Sequence, residues 1–267
     1  MTDYALKLSE DELARYQYMA ESAAEKEVDM WAAAGVVAGA AVADVGCGPG
    51  AMSAVLARLV GPTGHVRAVD RDSDAVAAAQ AAAQRAGLAN LTVSVGDADD
   101  TGLEPGCVDV VMMRHVLAHN GGREQAVVDH LKSLVRPGGS VYLVDTDYSG
   151  VRSRPTDPDL ADIAERYGRW HRDRGNDLSV GLRLGELLLA AGLEDVQHHG
   201  RYDVFSLPPG ARHPSWAGRD ALMADGLATE EDIERWDAAF VRTDALQPRP
   251  VTFVPMFLAF GRRPTTA

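Results

Sequence analysis

The chain is poor in lysine, in cysteine and in long apolar runs, and each shortage excludes something. Lys132 is the last lysine, and 26 Lys and Arg stand against 39 Asp and Glu, a formal net charge of −13. That balance argues against a nucleic-acid surface, which needs a basic stripe, so no nucleic-acid partner is expected. The two cysteines, Cys47 and Cys107, form neither a metal spacing nor a disulfide framework. They are expected to be reduced packing residues in a cytoplasmic protein. No window approaches the length of a membrane span, and Met1 to Lys7 has no basic region leading into an apolar core. Neither a membrane partner nor a signal peptide is therefore expected. Repeats are absent too, and the only compositional bias is in alanine-rich helices. An apolar content of 46% is ample for a core, and 267 residues suit one open α/β sheet with a helical cap.

What is present centres on Val42 to Ala51. An apolar run ends in Gly46, Gly48 and Gly50, and a helical pattern from Met52 to Val60 follows. Strand, glycine turn and helix make the first unit of a doubly wound sheet, with a ligand site at the strand's carboxyl end. The glycines alone also satisfy the loose dinucleotide fingerprint. Two details tilt away from it. Asp44, just before the turn, would repel a pyrophosphate but suits a cationic amino-acid ligand. Pro49 removes one N–H from any phosphate cradle. A second strand, His65 to Val69, ends at Asp70, placed to grip a ribose diol with two carboxylate oxygens. Neighbouring Arg71 keeps an NADP reading open. A third strand, Leu91 to Val95, ends in Gly96, Asp97 and Ala98, where a carboxylate can accept the amino group of adenine.

The pattern Asp44-x-Gly46-x-Gly48-x-Gly50 resembles the first motif of the class I S-adenosylmethionine-dependent methyltransferases, small-molecule branch, close to those of ubiquinone and menaquinone biosynthesis. The Gly96-Asp97-Ala98 triplet resembles that family's adenine motif. The segment from Arg114 to His119 resembles its Arg-His-Val-Leu-x-His segment, and Pro137-Gly-Gly139 resembles the turn before its fifth strand. The resemblance implies S-adenosylmethionine as cofactor, with contacts at Asp44, Gly46, Gly48, Gly50, Asp70, Arg71, Gly96, Asp97, Ala98 and Arg114. It also implies an aromatic flap from the segment Arg15 to Glu21, with Tyr18 over the ligand. The fold expected is a Rossmann-like seven-stranded sheet whose last strand, Val251 to Phe260, is antiparallel, with Pro255 suited to a bulge rather than to the sheet interior. Residues 1–38 form an N-terminal helical cap, 39–150 the cofactor core, and 151–267 the rest of the core with insertions at Arg152–Leu184 and His213–Asp244. Ser9 to Ala38 reads as two helices, with a capping box from Ser9 to Glu12. They belong to a cap or to a homo-oligomer contact.

Methyl transfer from a sulfonium relies on positioning, and needs a base only if the acceptor loses a proton. Candidate bases are His119, His115 and His171. His119 comes first because it follows the fourth strand on the pocket side. His171 sits among Arg169, Trp170, Arg172 and Arg174, which reads as a solvated helix face. No metal is expected: Asp145 and Asp147 share a strand face but lack a third ligand, and adjacent His198 and His199 point to opposite faces. The sequence has no Asn/Asp-Pro-Pro-Tyr/Phe motif for DNA amines and no cysteine pair for arsenic, leaving a small organic acceptor methylated on O, N or C. Two alternatives remain: an NAD(P)-dependent oxidoreductase, for which no Tyr-x-x-x-Lys pair is found, and a cofactor binder that performs another reaction or none.

Overall fold

A computed structural model describes the backbone of residues 10–265 and the side chains of residues 13–265. Helix α1, Glu10–Ala34, is continuous. The expected division into two helices is absent because neither glycine nor proline interrupts the run before Gly35, whose positive φ of 104° ends it. The Ser9 capping box lies outside the described residues. Ala20, Ala23, Glu27, Trp31 and Ala34 are buried along one stripe of α1, at three- and four-residue spacing.

The core then runs β1 (Ala41–Val45), α2 (Ala51–Val60), β2 (His65–Asp70), α3 (Ser73–Arg85), β3 (Leu91–Val95), β4 (Val108–Arg114), α4 (Glu124–Leu134) and β5 (Val135–Thr146). It continues with β6 (Arg152–Arg154), α5 (Pro158–Asp173), α6 (Leu184–Ala190), β7 (Glu194–Phe205), α7 (Pro214–Ala217), α8 (Arg219–Ala224), α9 (Glu230–Asp244) and β8 (Val251–Arg262). The sheet order is β3-β2-β1-β4-β5-β8-β6, with β7 also on β8. The first five strands are parallel, and β8 runs antiparallel to β5, β6 and β7. The seven strands anticipated are present, and the three-residue β6 makes an eighth. Strand order reverses between β1 and β4, so the crevice above their carboxyl ends is the place for a ligand.

Pro255 lies inside β8. On one edge it opposes Tyr202 of β7; on the other it falls between the end of the β5 pairing at Met256 and the start of the β6 pairing at Phe253. A residue without an N–H is tolerated in that gap. Pro137 to Gly139 is not a turn ahead of β5 but an interruption within it, where the pairing with β4 jumps from Val108–Val135 to Val110–Ser140.

Two apolar layers sandwich the sheet. Trp31, Leu56, Val60 and Val66 lie in one, and Val127, Leu131, Leu134 and Leu188 in the other. The cap has its own small core of Ile163, Leu222, Ala228 and Trp236. Arg235 and Arg166 tie α5 to α9 through Asp162 and Asp232. Trp236 is fully buried and donates its indole N–H to Asp162 at 3.0 Å. Among the described residues no helix is long and apolar enough to cross a membrane.

Candidate active site

The glycine turn leaves β1 through Asp44, which is buried and accepts the Ser53 hydroxyl of α2 at 2.5 Å. Burial pushes its carboxyl up to about 6, against the pull of Ser53 and Arg114. Gly46 has a φ of 77°, and a Cβ there would lie 2.3 Å from Val116 Cγ2. Only glycine lets the chain leaving β4 close on the turn. Gly50 likewise touches α3, with a would-be Cβ 2.8 Å from Ala79 Cβ. The turn's amides are engaged internally. Gly46 and Cys47 donate to Val69 O, Gly50 to Cys47 O, and Gly48 to Asp70 Oδ2 at 2.7 Å. Pro49 has no N–H at all.

Asp70 ends β2 and is half-buried; its Oδ1 accepts the Asp72 N–H at 2.9 Å, so the carboxylate is fixed in place beside the turn. Arg71 next to it is exposed. Gly96 donates to Asp70 O, and its would-be Cβ lies 2.7 Å from Thr101 O, so the chain passes tightly here. Asp97 is exposed and exchanges backbone bonds with Asp100 around the Ala98 turn. Asp44, Asp70 and Asp97 thus sit at or just past the ends of three adjacent strands, β1, β2 and β3.

On the other side of the crevice, the structure departs from the sequence reading at several residues. Tyr18 is 61% exposed. Tyr16, roughly half a helical turn round, is the aromatic that faces Gly48, 3.5 Å from its would-be Cβ. Arg114 reaches back to α1 rather than forward over the ligand crevice, giving two bonds to Glu27 at 2.6 and 3.2 Å. Glu27 also accepts from Arg201 of β7 at 2.8 Å and from the Tyr142 hydroxyl of β5 at 3.1 Å. Glu27 is fully buried. Burial would raise its carboxyl, but Arg114 and Arg201 outweigh that and hold it down to about 2.

His115 follows Arg114 in the left-handed region, with a φ of 56°. Its Nδ1 lies 4.0 Å from Asp145 Oδ1, too far for a hydrogen bond. Burial, then Arg114, hold the His115 imidazole down to about 3, and burial lifts the Asp145 carboxyl to about 7 against the amides of Thr146 and Ala118. Asp147 lies past the end of β5, where its Oδ1 accepts the hydroxyls of Ser149 and Ser179 at 2.6 and 2.7 Å.

His171 is not on a solvated helix face either. It is 2% exposed, on the inner side of α5, with its ring 5.1 Å from that of His119. Tyr167 and Trp170 wall it at 4.5 and 4.7 Å. Burial, reinforced by Arg71, holds His119 down to about 4; burial, His119 and Arg174 hold His171 down to about 3. All three imidazoles are neutral at physiological pH.

The structure therefore gathers Asp44, Gly46, Gly48, Gly50 and Asp70 around one turn, and His119 with His171 across the crevice. Sequence reasoning missed Glu27, Ser53 and Asn176. Glu27 had a signal: it is the lone acid on the apolar stripe of α1. Asn176, which contacts His171, had none.

Residues 37–171 match the methyltransferase-domain family. The chain is 30% identical over 155 residues to an uncharacterized protein in a transposon of Streptomyces fradiae, covering 58% of this chain and 43% of that protein. It is 35% identical over 107 residues to the ubiquinone biosynthesis O-methyltransferase of Cupriavidus pinatubonensis, covering 40% of this chain and 41% of that enzyme. These matches span about two fifths of the length of each relative. The solved structure of the YcgJ protein of Bacillus subtilis shares the fold with a TM-score of 0.58 at 18% identity, covering 88% of this chain and 96% of that one.

Proposed function

Because the chain belongs to the class I S-adenosylmethionine-dependent methyltransferases, we propose that it transfers a methyl group to a small organic acceptor without a metal, with His119 as the base. The observation that carries the cofactor side is the engagement of the turn's amides. From Gly46 to Gly50 they serve neighbouring carbonyls and Asp70, and Pro49 contributes none. Such a turn offers little to a pyrophosphate, and buried Asp44 behind it opposes one. It suits a ligand with an ammonium and a ribose but no phosphate, which separates this reading from that of an NAD(P)-dependent oxidoreductase.

In this reading Asp44 answers the ammonium, Asp70 the ribose hydroxyls, and Asp97 with the Gly96–Ala98 backbone the adenine. Gly46, Gly48 and Gly50 keep side chains out of the way. When bound, the cofactor supplies an electrophilic methyl group on a sulfonium that departs as a neutral thioether. The protein's part is to orient the acceptor, exclude water and receive a proton. His119 is neutral and so competent to accept one. Metal independence is inferred from the donors, since Asp145 takes two backbone amides and Asp147 two serine hydroxyls.

The test is incubation with methyl-labelled S-adenosylmethionine and a panel of small phenols, amines, thiols and carbon acids. Label recovered in one acceptor class is the expected result. Tight cofactor binding with no labelled product across the panel would instead make the chain a cofactor binder put to another use.

A further inference from the structure

The contact between His171 and Asn176 fixes more than a ring position. Asn176 Oδ1 accepts the Gly121 N–H at 3.2 Å, which settles the two ends of the amide. Its Nδ2 therefore faces His171 Nδ1, 3.0 Å away. An amide NH2 only donates, so Nδ1 accepts and the neutral ring carries its proton on Nε2. That Nε2 is buried and has no hydrogen-bond partner among the described residues. A buried donor left unmade is costly, and such an exception asks for a ligand. The arrangement is built in. A Cβ on Gly121 would lie 2.1 Å from Gly175 O, so glycine alone lets the loop ahead of α4 meet the end of α5. The Asn176 N–H closes that end on His171 O at 3.0 Å.

We propose that His171, held in its Nε2–H tautomer by Asn176, donates a hydrogen bond to an acceptor oxygen beside His119, so that the acceptor is a hydroxyl-bearing small molecule methylated on oxygen. This rests on the reading of the site as a methyltransferase. A hydroxyl oxygen has two lone pairs, one to accept from His171 and one to attack. An amine nitrogen has a single pair and cannot do both. In the transfer the acceptor's O–H bond breaks and its proton passes to His119. The new O–C bond forms as the C–S bond breaks, and the thioether leaves uncharged. His171 is then an acceptor-binding residue and Asn176 a positioning residue that acts through it.

The experiment is nitrogen-labelled histidine NMR on the full chain with S-adenosylhomocysteine, titrated with para-nitrophenol. The expected result is an Nε2–H tautomer for His171 whose Hε2 signal moves downfield as para-nitrophenol binds. Asn176→Asp, nearly the same shape, presents a carboxylate that accepts from Nδ1–H and reverses the tautomer. Para-nitrophenol should then bind about tenfold more weakly, the loss of one hydrogen bond, with S-adenosylhomocysteine affinity and melting temperature unchanged. An Nδ1–H tautomer in the wild type, an unmoved Hε2 signal at saturating para-nitrophenol, or equal para-nitrophenol affinity in the variant would each overturn the proposal. Failure of S-adenosylhomocysteine to bind would sink the methyltransferase reading instead, and the tautomer would still be read from the same spectra.

Discussion

The two sides of the crevice are built differently. The side we assign to the cofactor lies at the ends of β1, β2 and β3 and is made of local motifs. Three glycines in one turn and three aspartates at successive strand ends are held by hydrogen bonds within and beside those motifs. The side we assign to the acceptor lies beyond β4 and β5 and is made of side chains far apart in sequence: His119 from a short turn, His171 from the cap helix, and Asn176 from the loop after it. The first side carries three carboxylates, and the second presents neutral imidazoles and an amide. A cofactor shared by a whole family can be met by a short fixed motif, whereas an acceptor must be met by whatever the cap brings. Glu27 joins the two sides, holding α1, β4, β5 and β7 together in one buried cluster.

That division can be broken at its joint. Glu27→Gln leaves Arg114 and Arg201 short of a buried counter-charge, and a loss of about 3–5 kcal/mol in denaturant unfolding is expected. The loss should weaken cofactor and acceptor binding together, because α1 carries Tyr16 to the turn and Arg114 leads into His115. A smaller disturbance is expected from Gly46→Ala, which forces both a left-handed alanine and a collision with Val116. It should cost about 2–4 kcal/mol and most of the cofactor affinity by calorimetry. Gly61→Ala, also left-handed at a φ of 69° but with open space around it, should cost only the backbone strain.

Single-sided variants sharpen the comparison. His119→Gln should lower kcat for a hydroxyl acceptor by about a hundredfold and leave the cofactor dissociation constant alone. In the wild type, a base titrating at about 4 is already unprotonated throughout the neutral range, so His119 should impose no acid limb on kcat until the pH falls toward that value. Asp70→Ala should do the opposite of His119→Gln, weakening the cofactor by roughly 1.5–3 kcal/mol, the loss of a charged hydrogen-bond acceptor. The smallest effect separates two tyrosines. Tyr16→Ala should weaken the cofactor severalfold, and Tyr18→Ala, at an exposed position, should not change it.

How much was legible follows the same division. The parallel core, the antiparallel last strand and the family resemblance could be read because apolar strands, breakers and glycine turns are local signals. The continuous α1 was misread because a polar stretch without glycine or proline does not stop a helix whose other face is buried. Tyr18 was chosen over Tyr16 because the rotation of α1 against the turn depends on its buried stripe, anchored at Glu27 and Trp31. Arg114 was read as a cofactor contact because its partner lies 87 positions away. His171 looked solvated among its arginines because only the packed cap shows which face of α5 turns inward. Asn176 carried no signal, since a lone asparagine after a helix commonly serves its own turn.

The most direct test of the central claim, a turn made for a phosphate-free cofactor, is parallel calorimetric titration of the wild-type chain with S-adenosylhomocysteine and with NADPH. Tight binding of S-adenosylhomocysteine, with no heat from NADPH, is predicted. Binding of NADPH alone would contradict the account at its root, because a turn with its amides engaged and Asp44 behind it would then be holding a pyrophosphate.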